Sequence, residues 1–254
     1  MRWAASLAAG ARAALADVEA LLLPAVCVAC GKPLSPRERD AVCCAACRWR
    51  MRSIAPPLCG RCGQPLDDWE RRGSAAPCGF CRGWPTELNW ARSAVWLEDG
   101  PARELAHALK YGGWTSAARP MAELMARQCR AQLAAVEVLV PIPLGRTRER
   151  ERGHNQALEL ARALGRLRGI AVEPGALVRG RETTTQTDLT RAERWRNVAG
   201  AFRAPSRAVR GRQVALVDDV LTTGATLAAA ARVLREAGAE AVGAITFARA
   251  LVPS

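Results

Sequence analysis

Lysine is nearly missing from this 254-residue chain. Lys32 and Lys110 are the only two, so 35 of the 37 basic residues (37 minus 2) are arginine. A net charge of +13 and an isoelectric point near 10.3 would suit a surface for polyanions. Yet arginine is spread through every segment rather than gathered in one run, and alanine is abundant beside it, as a GC-rich genome would produce. Charge alone therefore does not separate a nucleic-acid surface from compositional bias. Long apolar runs are lacking as well. No stretch approaches the roughly twenty residues of a membrane-spanning helix, and no span is expected. Small and apolar residues dominate the start of the chain, but Arg12, Asp17 and Glu19 break any apolar core of the length a secretory signal requires. The expected location is therefore the cytoplasm. Leu7, Ala11, Ala14, Leu15, Val18 and Leu22 recur at helical spacing, which predicts a docking helix in an N-terminal segment, residues 1–24.

Cysteine is concentrated. Nine of the ten lie between Cys27 and Cys81, and eight form four C-x-x-C pairs, Cys27/Cys30, Cys44/Cys47, Cys59/Cys62 and Cys78/Cys81. Two thiolates three positions apart on a tight knuckle reach one Zn²⁺ at about 2.3 Å, and two knuckles close a tetrahedral structural site. The segment also repeats itself: Cys27-Val-Ala-Cys30-Gly31-Lys-Pro33-Leu34 returns as Cys59-Gly-Arg-Cys62-Gly63-Gln-Pro65-Leu66, each copy followed by another C-x-x-C. The repeat predicts two tandem zinc ribbons over residues 25–86, binding two structural Zn²⁺. Spacing leaves open an interleaved arrangement in which the first knuckle shares zinc with the third. A disulfide framework would require export, and a redox C-x-x-C would be expected singly beside a βαβ unit. Cys43 adjoins Cys44, but C-x-x-C geometry favours Cys44. Cys129, alone on a helical pattern, reads as an ordinary core thiol.

Beyond Cys81, Gly83-Trp-Pro85-Thr reads as a linker, and a second domain is expected over residues 87–254. Apolar and polar residues alternate through Ala91–Leu97. Helical patterns follow over Pro101–Tyr111, stopped by Gly112-Gly113, and from Pro120 to Leu133. Apolar strands at Val136–Val140, Val214–Val217 and Ala241–Phe247 interleave with further helices. Such alternation indicates an α/β fold with a mostly parallel sheet flanked by helices.

The most informative stretch runs from Val214 to Thr226. Its apolar run has the composition of a strand buried on both faces, and Leu227, Ala230, Ala231 and Leu234 then recur at helical spacing until Gly238. Asp218 and Asp219 are expected at the strand's carboxyl end, where open α/β sheets bind ligands, and the following helix offers unpaired N–H groups and a positive dipole end to a phosphate. Thr222, Thr223 and Thr226 add hydroxyls, while Gly224 and Ala225 leave room for an anion to approach the backbone. Acids beside a phosphate cradle suggest a ligand carrying both hydroxyls and phosphate. A second segment also follows a strand: in Arg146-Thr-Arg148-Glu-Arg150-Glu-Arg152, four arginines at alternate positions would face one way if extended, presenting bidentate donors to a pyrophosphate. The intervening acids equally fit a solvated, self-neutralising loop.

The Val214–Thr226 run resembles the phosphoribosyl-pyrophosphate (PRPP) signature of type I phosphoribosyltransferases. That resemblance implies that Asp218 and Asp219 hold the ribose hydroxyls and that Thr222, Thr223, Gly224, Ala225 and Thr226 bind the 5′-phosphate. More narrowly, Val140-Pro-Ile-Pro-Leu, the arginines and Arg152-Gly-His154-Asn155-Gln156 resemble the ComF/GntX family. So do Leu109-Lys110-Tyr111-Gly and a segment containing Thr183, Gln186, Leu189, Arg194, Asn197 and Phe202, as does the double zinc ribbon ahead of a phosphoribosyltransferase-like domain. The family resemblance implies that Arg146, Arg148, Arg150 and Arg152 form the pyrophosphate loop. Lys110, Gln186, Asn155 and Gln156 become further site candidates, and so does His154, where relatives commonly carry Phe. An imidazole there would be either a donor or proton carrier, or simply structural. Arg181–Asp188 reads as a flap over the site, or Asp188-Leu-Thr190 begins a helix. Trp69, Trp84, Trp90 and Trp96 are expected in inter-domain packing rather than base stacking. The implied activity is PRPP binding with Mg²⁺ and phosphoribosyl transfer to an acceptor that no segment identifies. Relatives are associated with DNA uptake, which implies a second reading: a non-catalytic accessory protein of natural competence that binds PRPP as a regulator or handles single-stranded DNA.

Overall fold

The protein is described from a computed structural model over residues 25–35, 38, 42–66, 77–181 and 190–250. The expected docking helix, Trp69, Gln186 and Asp188 lie outside these residues.

The sequence repeat becomes a structural repeat. In each copy the first knuckle is a tight turn: Cys27 N–H donates to the Lys32 carbonyl at 2.8 Å, and Cys59 N–H to that of Gln64 at 2.7 Å. Val26 then bridges Pro33, and Leu58 bridges Pro65. Gly31 and Gly63 take the left-handed conformation that closes the turn, with φ of 69° and 70°. In the first copy the second knuckle opens a short helix, α1 (Ala45–Arg50).

The larger part of the chain is built on five parallel strands. In chain order come β1 (Trp90–Leu97), α2 (Pro101–Tyr111), α3 (Ala118–Gln128), α4 (Arg130–Leu133), β2 (Val138–Pro141), α5 (Arg146–Arg152), α6 (Gln156–Arg168) and β3 (Ala171–Val172). There follow β4 (Val178–Arg179), α7 (Arg191–Val198), β5 (Phe202–Arg203), β6 (Gln213–Leu221), α8 (Ala225–Glu236) and β7 (Ala241–Ala250). The sheet order is β1-β7-β6-β2-β3, and β4 and β5 form a separate antiparallel pair. The expected helix from Pro120 to Leu133 is broken at Cys129, whose φ of −106° and ψ of 23° leave the helical range, and Leu133 turns into the core.

Alternation along the central strand divides the core between the two faces of the sheet. Ala215 and Val217 face a layer built from α2, α3 and α6, with Leu105, Met121 and Leu160 buried there. Val214 and Leu216 face α8, with Leu227, Ala231 and Leu234. Both faces being covered explains why β6 reads as a continuous apolar run. The first ribbon's Cys27 and Cys47 join the former core, whereas Cys59, Cys62, Cys78 and Cys81 join the latter. The ribbons thereby straddle the β1 edge. Ser53 bridges Val95, Ala91 N–H donates to the Arg61 carbonyl at 2.7 Å, and Trp96 N–H donates to that of Arg52 at 2.9 Å. Backbone groups of an otherwise open edge strand are thus paired.

Candidate ligand pocket and metal centres

A cavity of about 350 Å³ opens above the carboxyl end of the sheet, between β6, the start of α8, the end of α2 and the α5 helix. Its origin is a mismatch in strand length. β2 stops at Pro141, paired with Val217, whereas β6 continues through Asp218 and Asp219 to Leu221, held on its other side by β7. The acids lie in the carboxyl-terminal part of the strand, as expected, with the strand running on to Leu221, and the cleft exists because their β2-side neighbour has ended. This is still the ligand-binding edge of an α/β sheet.

Asp218 and Asp219 both line the cavity. Asp219 forms an ion pair with Lys110 of α2, Nζ to Oδ2 2.6 Å, the two side chains 25% and 6% exposed. Although burial opposes its charge, Lys110 holds the Asp219 carboxyl below the ordinary carboxylate value. Asp218 is driven the other way, well above that value, by burial and then by the neighbouring Asp219 charge. Lys110 is raised, its partner Asp219 outweighing desolvation. One lysine thus serves two adjacent acids, and Asp218 bears the deficit.

The signs give a pH prediction. A carboxyl whose folded pKa is raised binds its proton more tightly in the folded state, so stability falls as pH rises from its ordinary value through the folded one. Asp219 contributes oppositely, its stabilisation being lost as pH falls through its depressed value. Asp218→Asn is therefore expected to raise the melting temperature of the ligand-free protein at about pH 8, by about 2–4 °C per kcal/mol relieved, and to lose that advantage near about pH 4, where Asp218 is protonated. Melting curves at both pH values check this; an advantage that persists unchanged in acid would contradict it.

Thr222, Gly224, Ala225 and Thr226 line the cavity; Thr223 does not. Its side chain is buried, its Oγ1 accepting from Ala225 N–H at 3.4 Å. Gly224 is the N-cap of α8, with φ of 82° and no side-chain cap bond of its own, and with Ala225 and Thr226 it brings the start of that helix to the cavity wall.

The arginine segment departs from expectation. It is a helix rather than an extended loop, as strong helix formers followed by a left-handed Gly153 (φ 73°) dictate. At about 100° per residue, alternate arginines cannot share a face. Arg148 and Arg152 are one pair at i,i+4 and line the cavity; Arg146 and Arg150 are the other pair and are exposed. Arg152 also lies 4.8 Å from the Tyr111 ring and donates to Gln156 Oε1 at 3.0 Å. Gln156 faces the cavity; Asn155 instead caps α6 through Ala157 N–H (2.9 Å) and donates to the Ile142 carbonyl. His154 does not line the cavity. Its ring nitrogens contact the carbonyls of Arg152 (2.9 Å) and Leu109 (2.6 Å), tying α5 to the end of α2 that carries Lys110. Two lining residues were not singled out as site residues from the sequence, Arg179 and Arg194. Arg194 follows Thr190, whose capping box with Glu193 starts α7.

The cysteines gather into two groups, Cys27/Cys30/Cys44/Cys47 and Cys59/Cys62/Cys78/Cys81, with all sulfurs of a group within 4.8 Å of one another. Ligation is therefore sequential rather than interleaved. All ten cysteines are free thiols. Separations of 3.9 Å (Cys30–Cys44), 3.8 Å (Cys59–Cys81) and 3.5 Å (Cys62–Cys78) approximate the ~3.8 Å that sulfurs at tetrahedral Zn–S distance require. N–H groups of Cys44 and Cys47 donate to Cys27 Sγ (3.3 Å) and Cys44 Sγ (3.4 Å), as knuckle thiolates demand. These are two Cys₄ sites for structural zinc. Cys43 and Cys129 stand apart, each buried and pushed up to about 12 chiefly by that burial.

Fold and site define a phosphoribosyltransferase-type domain behind a double zinc ribbon. Residues 18–82 match the double zinc ribbon domain family, and residues 115–252 match the phosphoribosyl transferase domain family. The chain belongs to the ComF family. It is 33% identical to the DNA utilization protein YhgH of Salmonella typhi over 232 residues, 87% of this chain and 96% of that protein. It is 39% identical to Competence protein F of Haemophilus influenzae over 124 residues, 47% and 53% of the two chains. With Competence protein ComFC of Bacillus subtilis it shares 40% over 113 residues, 44% of each. Among the described residues no helix is long and apolar enough to cross a membrane.

Proposed function

We propose that this cavity binds PRPP with Mg²⁺ and that the protein transfers its phosphoribosyl group to a nitrogen acceptor. The observation that carries the reading is the meeting, in one cavity, of two adjacent carboxylates, a helix N-terminus with its threonines, and two arginines from α5. Asp218 and Asp219 would hold the ribose hydroxyls, Thr222 and Gly224–Thr226 the 5′-phosphate, and Arg148 and Arg152 the pyrophosphate. Mg²⁺, for which the two carboxylates and the ligand's phosphates form a suitable oxygen donor set, would neutralise charge on the pyrophosphate oxygens. As the bond from the anomeric carbon to pyrophosphate breaks, the electron pair leaves with the pyrophosphate towards the arginines. The carboxylates face the cation developing on the sugar, and the acceptor nitrogen closes the new bond. Positioning and fixed charge supply most of the catalysis.

The Lys110–Asp219 pair fits this role as a resting state. In it the lysine keeps a buried carboxylate ionised until a ribose hydroxyl donates to it. A domain over residues 87–254 would hold the whole cavity, served by the ribbon over residues 25–86.

The relatives' names, DNA utilization and competence, support a second reading: a non-catalytic cytoplasmic accessory protein of DNA uptake that binds PRPP as a regulator or handles single-stranded DNA. Splitting the arginines separates the two. On the PRPP reading, Arg148→Ala and Arg152→Ala each weaken PRPP binding by about tenfold or more, the scale of a charge-assisted hydrogen bond, while Arg146→Ala and Arg150→Ala leave it alone. On the DNA reading, each phosphate contact removed lowers the salt slope of oligonucleotide binding by about 0.7. PRPP titrations and labelled-oligonucleotide titrations at several salt concentrations measure both. Loss of DNA binding with PRPP binding intact would overturn the pyrophosphate assignment.

A further inference from the structure

The segment between ribbon and sheet, which reads as a linker, holds a contact that ties the second metal site to the phosphate loop. Trp84 lies three residues after Cys81, the last ligand of that site, and its backbone N–H donates to the Cys81 carbonyl at 3.0 Å. The side chain is 4% exposed, and its indole Nε1 donates to the carbonyl of Thr223 at 3.1 Å. The indole ring also occupies the space beside Gly224: a Cβ there would fall 2.4 Å from Trp84 Cζ2. Trp84 therefore holds the loop at both Thr223 and Gly224, the residues that set the direction of the first turn of α8.

The ribbon side of this contact is equally fixed. Arg61, between ligands Cys59 and Cys62, donates to the carbonyls of Cys81 (3.4 Å), Trp84 (3.3 Å), Pro85 (2.5 Å) and Leu88 (3.2 Å). From the sheet, Arg249 of β7, 1% exposed, donates to the Cys62 carbonyl at 2.9 Å and lies 4.2 Å from the Phe80 ring. Phe80 in turn meets Trp84 edge to face, with ring centroids 5.7 Å apart. A buried guanidinium of this kind complements the negative charge that four thiolates bring to a zinc ion. The first metal site lies elsewhere: its Cys27 and Cys47, with Cys44 against them, pack in the core on the other face of the sheet.

We propose that Trp84 is a positioning residue for the phosphate-binding loop, so that the second zinc site, and not the first, sets the shape of the pocket that receives a ribose 5-phosphate group. The ligand half of this statement rests on the proposed function above; the loop half does not. A hydrogen bond and a ring wedge fix a loop whose N–H groups must point at an anion, and pre-organised donors bind more tightly than donors ordered on binding.

The test is carried out on the full zinc-loaded chain. Hydrogen exchange of the 222–226 backbone is measured without ligand for wild type, Trp84→Phe, Cys78→Ser and Trp96→Phe, the last being another tryptophan at the ribbon contact, on β1, with β7 between it and β6. PRPP affinity is measured on the same preparations. Trp84→Phe keeps a ring and loses the N–H, so global folding is preserved while the Thr223 bond is removed. Faster exchange of 222–226 is expected in Trp84→Phe and Cys78→Ser and not in Trp96→Phe, with PRPP binding weakened by about tenfold in Trp84→Phe, the scale of one hydrogen bond. Unchanged exchange in Trp84→Phe, or equal acceleration in Trp96→Phe, overturns the proposal. If wild type binds no PRPP, the proposed function fails, and the exchange data still decide whether Trp84 holds the loop.

Discussion

Stripping the protein with a strong chelator is expected to release two zinc ions per chain and to collapse the ribbon. Each Cys₄ group brings four sulfurs within 4.8 Å, a spacing that thiolates without a metal cannot hold against their mutual repulsion. Apparent zinc-binding free energies of about 10–16 kcal/mol in small cysteine-rich modules are folding free energies, since the site does not exist in the unfolded chain. That is as large as the whole stability of an ordinary domain, about 5–15 kcal/mol. The loss should not stay local. Cys27 and Cys47 are packed into one core of the sheet domain and Cys59, Cys62, Cys78 and Cys81 into the other, and ribbon backbone pairs the edge of β1. Chelation should therefore lower the melting temperature of the whole chain, and metal analysis with thermal melts before and after chelation measures both effects. Zinc-free protein with an unchanged melt, or a disulfide at Cys27 or Cys59, would end this account. One zinc per chain would mean that one ribbon has lost its site.

Asp219→Ala is expected to destabilise the ligand-free protein as well as to abolish PRPP binding. The substitution removes the carboxylate 2.6 Å from the Lys110 ammonium, itself 25% exposed, and leaves it Asp218 as the remaining acid. With Asp218 still beside the ammonium, the cost stays below the about 3–5 kcal/mol of a fully stranded buried charge, and the melting temperature of a chain this size falls by about 2–4 °C for each kcal/mol lost. Combining it with Lys110→Met removes that ammonium, so the double variant should regain most of the lost stability while still failing to bind PRPP. The contrast separates a fold defect from a ligand defect. Asp219→Ala melting like wild type would show that the pair does not hold the site together.

Much of this was legible in the sequence, for physical reasons. The period-3 cysteine spacing and the repeated Cys-Gly-x-Pro-Leu marked both metal sites, because a knuckle is a local structure set by six or seven residues. Apolar continuity at Val214–Val217 marked a strand covered on both faces, and the acids that follow marked the ligand edge. What the sequence could not place were features that depend on neighbours. That the strand runs on through Asp218 is decided by its pairing with β7, and that a cleft opens beside it by where β2 stops, both non-local facts. The alternating arginines read as a loop that would face one way only if extended, but helix propensity and Gly153 decide otherwise, and the pair facing the cavity follows only from the helix. Trp84 was correctly grouped with the contact tryptophans, yet nothing in its surroundings of glycine and proline pointed to Gly224, 140 residues away.

The central claim is that Asp218 and Asp219 mark a site for PRPP. Calorimetric titration of PRPP with Mg²⁺ into the zinc-loaded wild type and into Asp219→Asn, a shape-conserving change, tests it most directly. The account predicts saturable binding of one PRPP per chain by the wild type and its loss in Asp219→Asn; equal binding by both proteins, or none by the wild type at millimolar PRPP, would contradict it.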